Sequence, residues 1–253
     1  MSDLLNTIEN GRDYPVRKHT NVFRYRITVP KSLFDTAGIE NSNHLGVSIS
    51  LRDESKLTLV YGTNVDNFSL KNTVSKHSSG EVTVPSALAA STRLNKCDIN
   101  WKLEEYKDEF LLHGMTNKEI NTFSSEEYTQ LYERPLKHVK QNVDFEGEEW
   151  EQEHYQLYLD VEATEVVQWD NEERIVVTLA SIDGKLGLLL APLSKVKNKI
   201  PKKAVKVVRK TGDNQRDRLV YIPNDIVRCL QFIDTPLTYY GREKNRTLLA
   251  VPK

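Results

Sequence analysis

Cysteine is scarce in this chain of 253 residues, which has only Cys97 and Cys229, neither of them in a Cys-x-x-Cys pair. One disulfide at most could form, which excludes a scaffold held by several disulfides and a cysteine-rich zinc site. We expect both to be buried core thiols. The six histidines form no His-Glu-x-x-His motif, so the sequence predicts no metal site.

Long apolar runs are also missing. No stretch approaches the roughly 18 apolar residues that a membrane-spanning helix needs, and the first residues lack the basic and apolar regions of a signal peptide. We therefore expect a cytoplasmic protein that does not associate with membranes.

The sequence motifs of common enzymes are absent as well. There is no Gly-x-Gly-x-x-Gly, no phosphate-binding Gly-x-x-x-x-Gly-Lys-Ser/Thr and no Gly-x-Ser-x-Gly. Asp160, Glu162 and Glu165 could be imagined as metal-binding carboxylates, but the supporting lysine and acid of a nuclease are not found, and we interpret them as a surface strand end. The sequence predicts a protein that is not an enzyme and has no cofactor.

Charge is balanced overall and divided along the chain. The formal net charge is -1, yet residues 1–100 carry +2, residues 101–173 carry -14 and residues 174–253 carry +11. An evenly charged solvated surface would not divide in this way. The basic C-terminal third therefore indicates an anionic partner.

A pattern of strand, short helix and two further strands repeats along the chain. Three clear copies contain a junction of an aliphatic residue with proline, at Pro30, Pro85 and Pro223. A weaker copy lies between those of Pro85 and Pro223 and has Asp160 at the junction, so it is the third of four copies in chain order. β-branched residues favour strands, and a proline at the first helical position costs no hydrogen bond. Each junction is thus a natural switch from strand to helix.

One copy is too small to bury its apolar face, so copies must pair. We predict a mainly β chain with short helices, a β-rich α+β fold that forms two pseudo-twofold barrels. The first barrel would span residues 14–115 and contain the first two copies. A connector over residues 116–135 would lead to the second barrel, residues 136–253, built from the third and last copies.

The first and last copies carry a resemblance to a known family. They share Val-Arg-Lys, a polar gap, an arginine, an apolar strand ending in proline, a short helix and two strands, starting at Val16 and Val208. This order resembles the AbrB/MazE/SpoVT family of swapped-hairpin DNA-binding domains, in which two copies interlace into one barrel. The resemblance implies tandem swapped-hairpin units within a single chain.

In that family, basic side chains on the first strand, the following loop and the helix contact DNA. The residues that match by position are Arg17, Lys18, Arg24 and Arg26 in the first copy and Arg209, Lys210, Arg216, Arg218 and Arg228 in the last. Glu81 stands at the place of Arg26 in the second copy, and Gln156 in the third. Contact between DNA and these middle copies is therefore left open.

A lysine-rich run precedes the last copy. It extends from Lys195 to Lys210 without an acidic residue and includes Lys199, Lys202 and Lys203. Such a run suits DNA phosphates and would make the affinity depend on salt. The alternative is a solvated linker.

The sequence supports two functions. The first is sequence-selective binding of double-stranded DNA by a transcriptional regulator, a monomer or homodimer, in which Arg26→Ala with Arg218→Ala should weaken DNA binding without lowering thermal stability. The second is a protein-interaction module, antitoxin-like or adaptor-like, whose acidic stretch over residues 144–153 binds a basic protein partner. That stretch could also be a solvated loop.

Overall fold

Strands dominate the fold. The computed structural model describes residues 7–18, 25–41, 44–73, 80–92, 94, 98–106, 109–145, 148–169, 173–196, 205–211 and 216–253. The strands are β1 Thr7–Lys18, β2 Tyr25–Thr28, β3 His44–Arg52, β4 Lys56–Gly62, β5 Leu70–Thr73, β6 Glu81–Val84, β7 Asp98–Tyr106, β8 Glu109–Glu119, β9 Asn121–Phe123, β10 Thr129–Arg134, β11 Lys137–Phe145, β12 Glu148–Leu159, β13 Arg174–Ile182, β14 Lys185–Pro192, β15 Val205–Val207, β16 Arg209–Thr211, β17 Asp217–Ile222, β18 Leu237–Arg242 and β19 Thr247–Pro252. The helices are α1 Lys31–Thr36, α2 Ser86–Thr92, α3 Val161–Val167 and α4 Asn224–Cys229. The prediction of a mainly β chain with short helices is confirmed.

The chain divides into two compact units. The first comprises Met1–Asn121 with Arg228–Gln231, and the second Thr122–Val227 with Phe232–Lys253. The boundary between the units falls within residues 116–135, the segment that the sequence predicts as a connector, and this segment contains strands. It completes β8, forms β9, and ends in β10, which pairs with β18.

The first unit contains one antiparallel sheet of eight strands in the order β5-β3-β4-β8-β7-β1-β2-β6. Corresponding strands of the first two copies lie next to each other, β2 beside β6 and β4 beside β8. The long strand β1 pairs with β7 along its first part and with β2 along its last three residues. One strand thus joins two parts of the sheet.

The second unit repeats this strand order in two sheets. One runs β10-β18-β19-β14-β13-β15 and the other β11-β12-β17-β16. Here too, the strands before the helices pair, β12 with β17, and the last strands pair, β14 with β19. In the first unit, β1 pairs both with the next strand of its own copy, β2, and with a strand of the other copy, β7. In the second unit, two strands share these pairings in each copy: β11 and β10 in the third copy, and β16 and β15 in the last.

Each strand-to-helix junction has a proline or an aspartate directly before the first helical residue. The carbonyl of Pro30 accepts the first helical hydrogen bond from the Phe34 amide at 3.0 Å, and Pro85 does the same in α2. Asp160 takes this place before α3, where its carboxylate accepts from the Ala163 amide at 2.9 Å. The three prolines therefore stand one position earlier than predicted. Asp160 caps α3, and Glu162 and Glu165 lie on that helix, not at the surface strand end that we expected for all three.

The cores consist of the alternating apolar residues of the strands. In the first unit, the indole of Trp101, fully buried, donates to the Thr28 carbonyl at 2.9 Å. The Tyr61 hydroxyl donates at 3.1 Å to the carbonyl of Thr83, the residue that corresponds to Thr28 in the second copy. In the second unit, Trp169 donates to the Arg246 carbonyl at 2.9 Å. Large rings thus fill each core and satisfy backbone carbonyls, near the strand-to-helix junctions in the first unit and in the turn between β18 and β19 in the second.

Candidate nucleic-acid interface

The residues predicted to contact DNA are divided among several elements. Arg24, Lys199, Lys202 and Lys203 lie outside the described residues. Arg17 and Lys18 occupy the end of β1, where Arg17 is paired in register with Arg26 on β2. Arg228 lies near the end of α4 and is partly buried.

Arg26 forms an ion pair inside the first unit. Its Nη1 donates to Oε2 of Glu81 at 3.2 Å, and both side chains are 25% exposed. Glu81 is the residue that stands in the place of Arg26 in the second copy, and the pairing of β2 with β6 brings the two positions together. A second arginine there would repel the first, so the glutamate makes the two copies complementary.

Arg218 is held by backbone carbonyls. Its Nε donates to the Trp169 carbonyl at 2.8 Å, and its Nη1 donates to the carbonyls of Arg216 and Asp217 at 2.8 and 3.1 Å. These bonds tie the start of β17 to the segment after α3. The guanidinium therefore has a structural role, whether or not it also meets DNA.

The remaining basic residues of the last copy form an exposed group, which we call the basic hairpin. It consists of Arg209 and Lys210 on β16 and of Arg216 directly before β17, all exposed. The guanidinium of Arg209 lies 5.3 Å from the centre of the Tyr221 ring. Within the described part of the chain, no acidic side chain forms an ion pair with these three residues.

Asp217, the acidic residue of β17, lies beside the basic hairpin but accepts a hydrogen bond from another strand. The Tyr158 hydroxyl donates to the carboxylate of Asp217, and this hydrogen bond raises the pKa of Tyr158 above its ordinary value. Tyr158 is itself fixed from β10, because the Arg134 guanidinium lies 4.8 Å from its ring. The negative charge of Asp217 is thus directed towards β12.

The acidic stretch forms the opposite end of the same four-stranded sheet. Strands β11 and β12 make a long hairpin, and only Tyr155–Leu159 of β12 also pair with β17. We call residues 139–145 and 148–154 the acidic arm. Because Leu159 lies opposite Arg218 and Tyr155 opposite Ile222, the arm extends from the end of β17 that lies away from the basic hairpin.

Ion pairs hold one face of the acidic arm. Lys140 lies between two carboxylates, with its Nζ 2.9 Å from Glu151 Oε1 and 3.5 Å from Glu153 Oε1. The His138 ring stacks on Tyr155 with centroids 4.8 Å apart. The described parts of the arm are therefore paired strands, not the loop considered from the sequence.

Aromatic side chains on the outer face of this sheet were missed by the sequence analysis. The rings of His154 and Tyr221 meet edge to face at 5.3 Å, with Arg209 next to them. The available signal in the sequence was the alternation along β12, where the more apolar Tyr155, Leu157 and Leu159 leave His154 for the other face.

The described residues contain no group of three His, Cys, Asp or Glu side chains that could hold a metal ion. Cys229 is a buried free thiol, as expected for a core cysteine, and Cys97 lies outside the described residues. Of the described helices, none has the length and apolar character needed to cross a bilayer.

Comparison with known families, curated proteins and solved structures gives no match to this chain.

Proposed function

We propose that this protein is a cytoplasmic regulator of transcription that binds double-stranded DNA sequence-selectively and catalyses no reaction. The observation that carries the proposal is the basic hairpin, because two exposed cations on β16 and a third directly before its partner strand β17 have no acidic partner among the described residues. Phosphate contacts from such groups supply most of the affinity of DNA-binding proteins. Arginines of the same hairpin can read base edges in the major groove.

The proposal includes an architecture of tandem swapped-hairpin units. Strand exchange between neighbouring copies supports it: β1 of the first copy pairs with β7 of the second, and β5 of the second pairs with β3 of the first. In the second unit, β15 pairs with β13 and β10 pairs with β18. A copy whose first strand pairs with a strand of the neighbouring copy cannot complete its own sheet alone, which favours pairing of the two copies.

By sequence, each unit then joins a copy with several basic residues at the family-matched positions, the first or the last, to a copy with few of them. The ion pair of Arg26 with Glu81 and the acidic arm beside the last copy are both signs of this difference. A homodimer of identical copies would favour a palindromic site. Two unlike copies in each unit remove that requirement, so we expect an asymmetric target sequence.

The test is binding of the purified protein to random-sequence duplex DNA, measured by fluorescence anisotropy at about 50 and about 200 mM salt. Tight binding that weakens steeply at the higher salt would support the proposal, and selection from a random library would then define the target. Lack of binding at the lower salt would refute it.

A second function is favoured by the acidic arm. Its distal part pairs only with itself among the described residues, and an isolated two-stranded hairpin has marginal stability in water. We infer that a basic protein partner would stabilise it by contacting the half-exposed Glu151 carboxylate, which within the chain pairs with Lys140. The probe is a fluorescent oligoarginine peptide. This function would be favoured over the first if the unmodified protein binds the peptide but not DNA, and if Glu151→Gln abolishes peptide binding.

A further inference from the structure

The first unit contains a cavity that the DNA-binding proposal does not use. Its volume is about 730 Å³, and its floor is formed by Ser48 on β3, Val60 on β4 and Leu111 on β8. The segment between β4 and β5 and the ends of β7 and β8 make its walls. Cavities of roughly 300–1,000 Å³ are typical of small-molecule sites.

One wall depends on two glycines. The Phe68 ring lies flat against β3 and β4, where a Cβ on Gly46 would stand 2.0 Å from Phe68 Cδ2 and a Cβ on Gly62 would stand 2.7 Å from Cε2. No other residue type leaves room for the ring in this position. The sequence therefore builds an aromatic wall beside the floor of the cavity.

A carboxylate in the opposite wall is only half satisfied. Oε1 of Glu109 accepts a hydrogen bond from Nδ2 of Asn67 at 3.0 Å. Its Oε2 is shielded from solvent and has no hydrogen-bond partner among the described residues. This oxygen can therefore accept a hydrogen bond from a donor placed in the cavity.

The rest of the lining matches a cation rather than an anion. No lysine, arginine or histidine is found among the described residues that line the cavity. Tyr106 is 45% exposed, an unusual exposure among the rings that the structure describes, and it lines the cavity together with Phe68. Aromatic faces attract organic cations, while Val60 and Leu111 suit an apolar stem.

We propose that this cavity binds a small organic cation with N–H donors, a guanidinium or primary ammonium compound with a short aliphatic chain. The positive group complements the Glu109 carboxylate, the rings of Phe68 and Tyr106 flank it, and the aliphatic chain covers the floor. This site is independent of DNA binding, because its residues do not belong to the basic hairpin.

The experiment compares butylguanidinium with butylurea, which has nearly the same shape and no charge. Calorimetric titration into the full chain should show butylguanidinium binding at least tenfold more tightly than butylurea. Glu109→Gln should abolish that preference while the shape of the cavity is retained. Glu105→Gln is the matched control, since this residue lies on β7 next to Tyr106 and does not line the cavity.

A second variant keeps the proposal testable if Glu109→Gln lowers the melting temperature. Tyr106→Ala removes an exposed ring, which should leave folding intact and weaken butylguanidinium binding by at least threefold. Equal binding of the two compounds, unchanged binding in Glu109→Gln, or no binding of butylguanidinium at about 10 mM would each overturn the proposal.

Discussion

Replacing the basic hairpin with neutral residues is the most direct perturbation of the proposed DNA interface. In the triple variant Arg209→Gln, Lys210→Gln and Arg216→Gln, all three side chains are exposed and none holds a described ion pair. Exposed substitutions usually change stability by less than about 0.5 kcal/mol, and loss of the Arg209 contact with Tyr221 adds at most about 1 kcal/mol. The variant should therefore fold.

The magnitude follows from the number of phosphate contacts. Each contact contributes about 0.9 to the slope of log affinity against log salt, so three lost contacts should flatten the slope by about 2.7. Between about 50 and 200 mM salt, the unmodified protein should therefore lose roughly 40-fold more affinity than the triple variant. Fluorescence anisotropy with one labelled duplex over four or five salt concentrations measures both slopes.

The control is a second triple variant with the same change of charge. Lys56, Lys185 and Lys244 lie at the turns that join the last two strands of the first, third and last copies, and their replacement by Gln should change the slope by less than one. A slope that is unchanged in the hairpin variant, or flattened equally in the control, would refute the assignment of the basic hairpin.

Three further predictions concern stability. Arg218→Ala should lower the free energy of unfolding by about 1–3 kcal/mol, because the Trp169 carbonyl loses its donor; an unchanged urea midpoint would support the sequence-based expectation that Arg218 is dispensable for folding. Gly46→Ala should cost about 1–3 kcal/mol through its clash with the Phe68 ring, and Phe68→Ala in the same chain should recover part of that loss, whereas additive losses would contradict the clash. Burial lowers the pKa of His113, so the unfolded chain binds the proton at a higher pH than the folded chain does. Stability should therefore fall as the pH drops from about 7.5 towards the lowered pKa. The urea midpoint of His113→Gln should vary less over this range than that of the unmodified protein, and an equal variation would exclude His113 as the cause.

The sequence by itself determined the local structure. Alternating β-branched residues predict strands such as β2, and proline or aspartate before a helix specifies where each strand ends, because these preferences act within a few residues. The junctions at Pro30, Pro85 and Pro223 could therefore be located from the sequence. The concentration of positive charge in the last copy was equally visible, since charge is counted residue by residue.

Only the tertiary structure decided which side chains meet. Arg26 and Arg218 looked like equivalent DNA contacts in the sequence, yet one faces Glu81 across β2 and β6 and the other binds backbone carbonyls. The cavity beside Phe68 and Glu109 left no signal, because its residues come from strands far apart in the chain. Strand register over such separations depends on the packing of the whole sheet, and a local pattern cannot specify it.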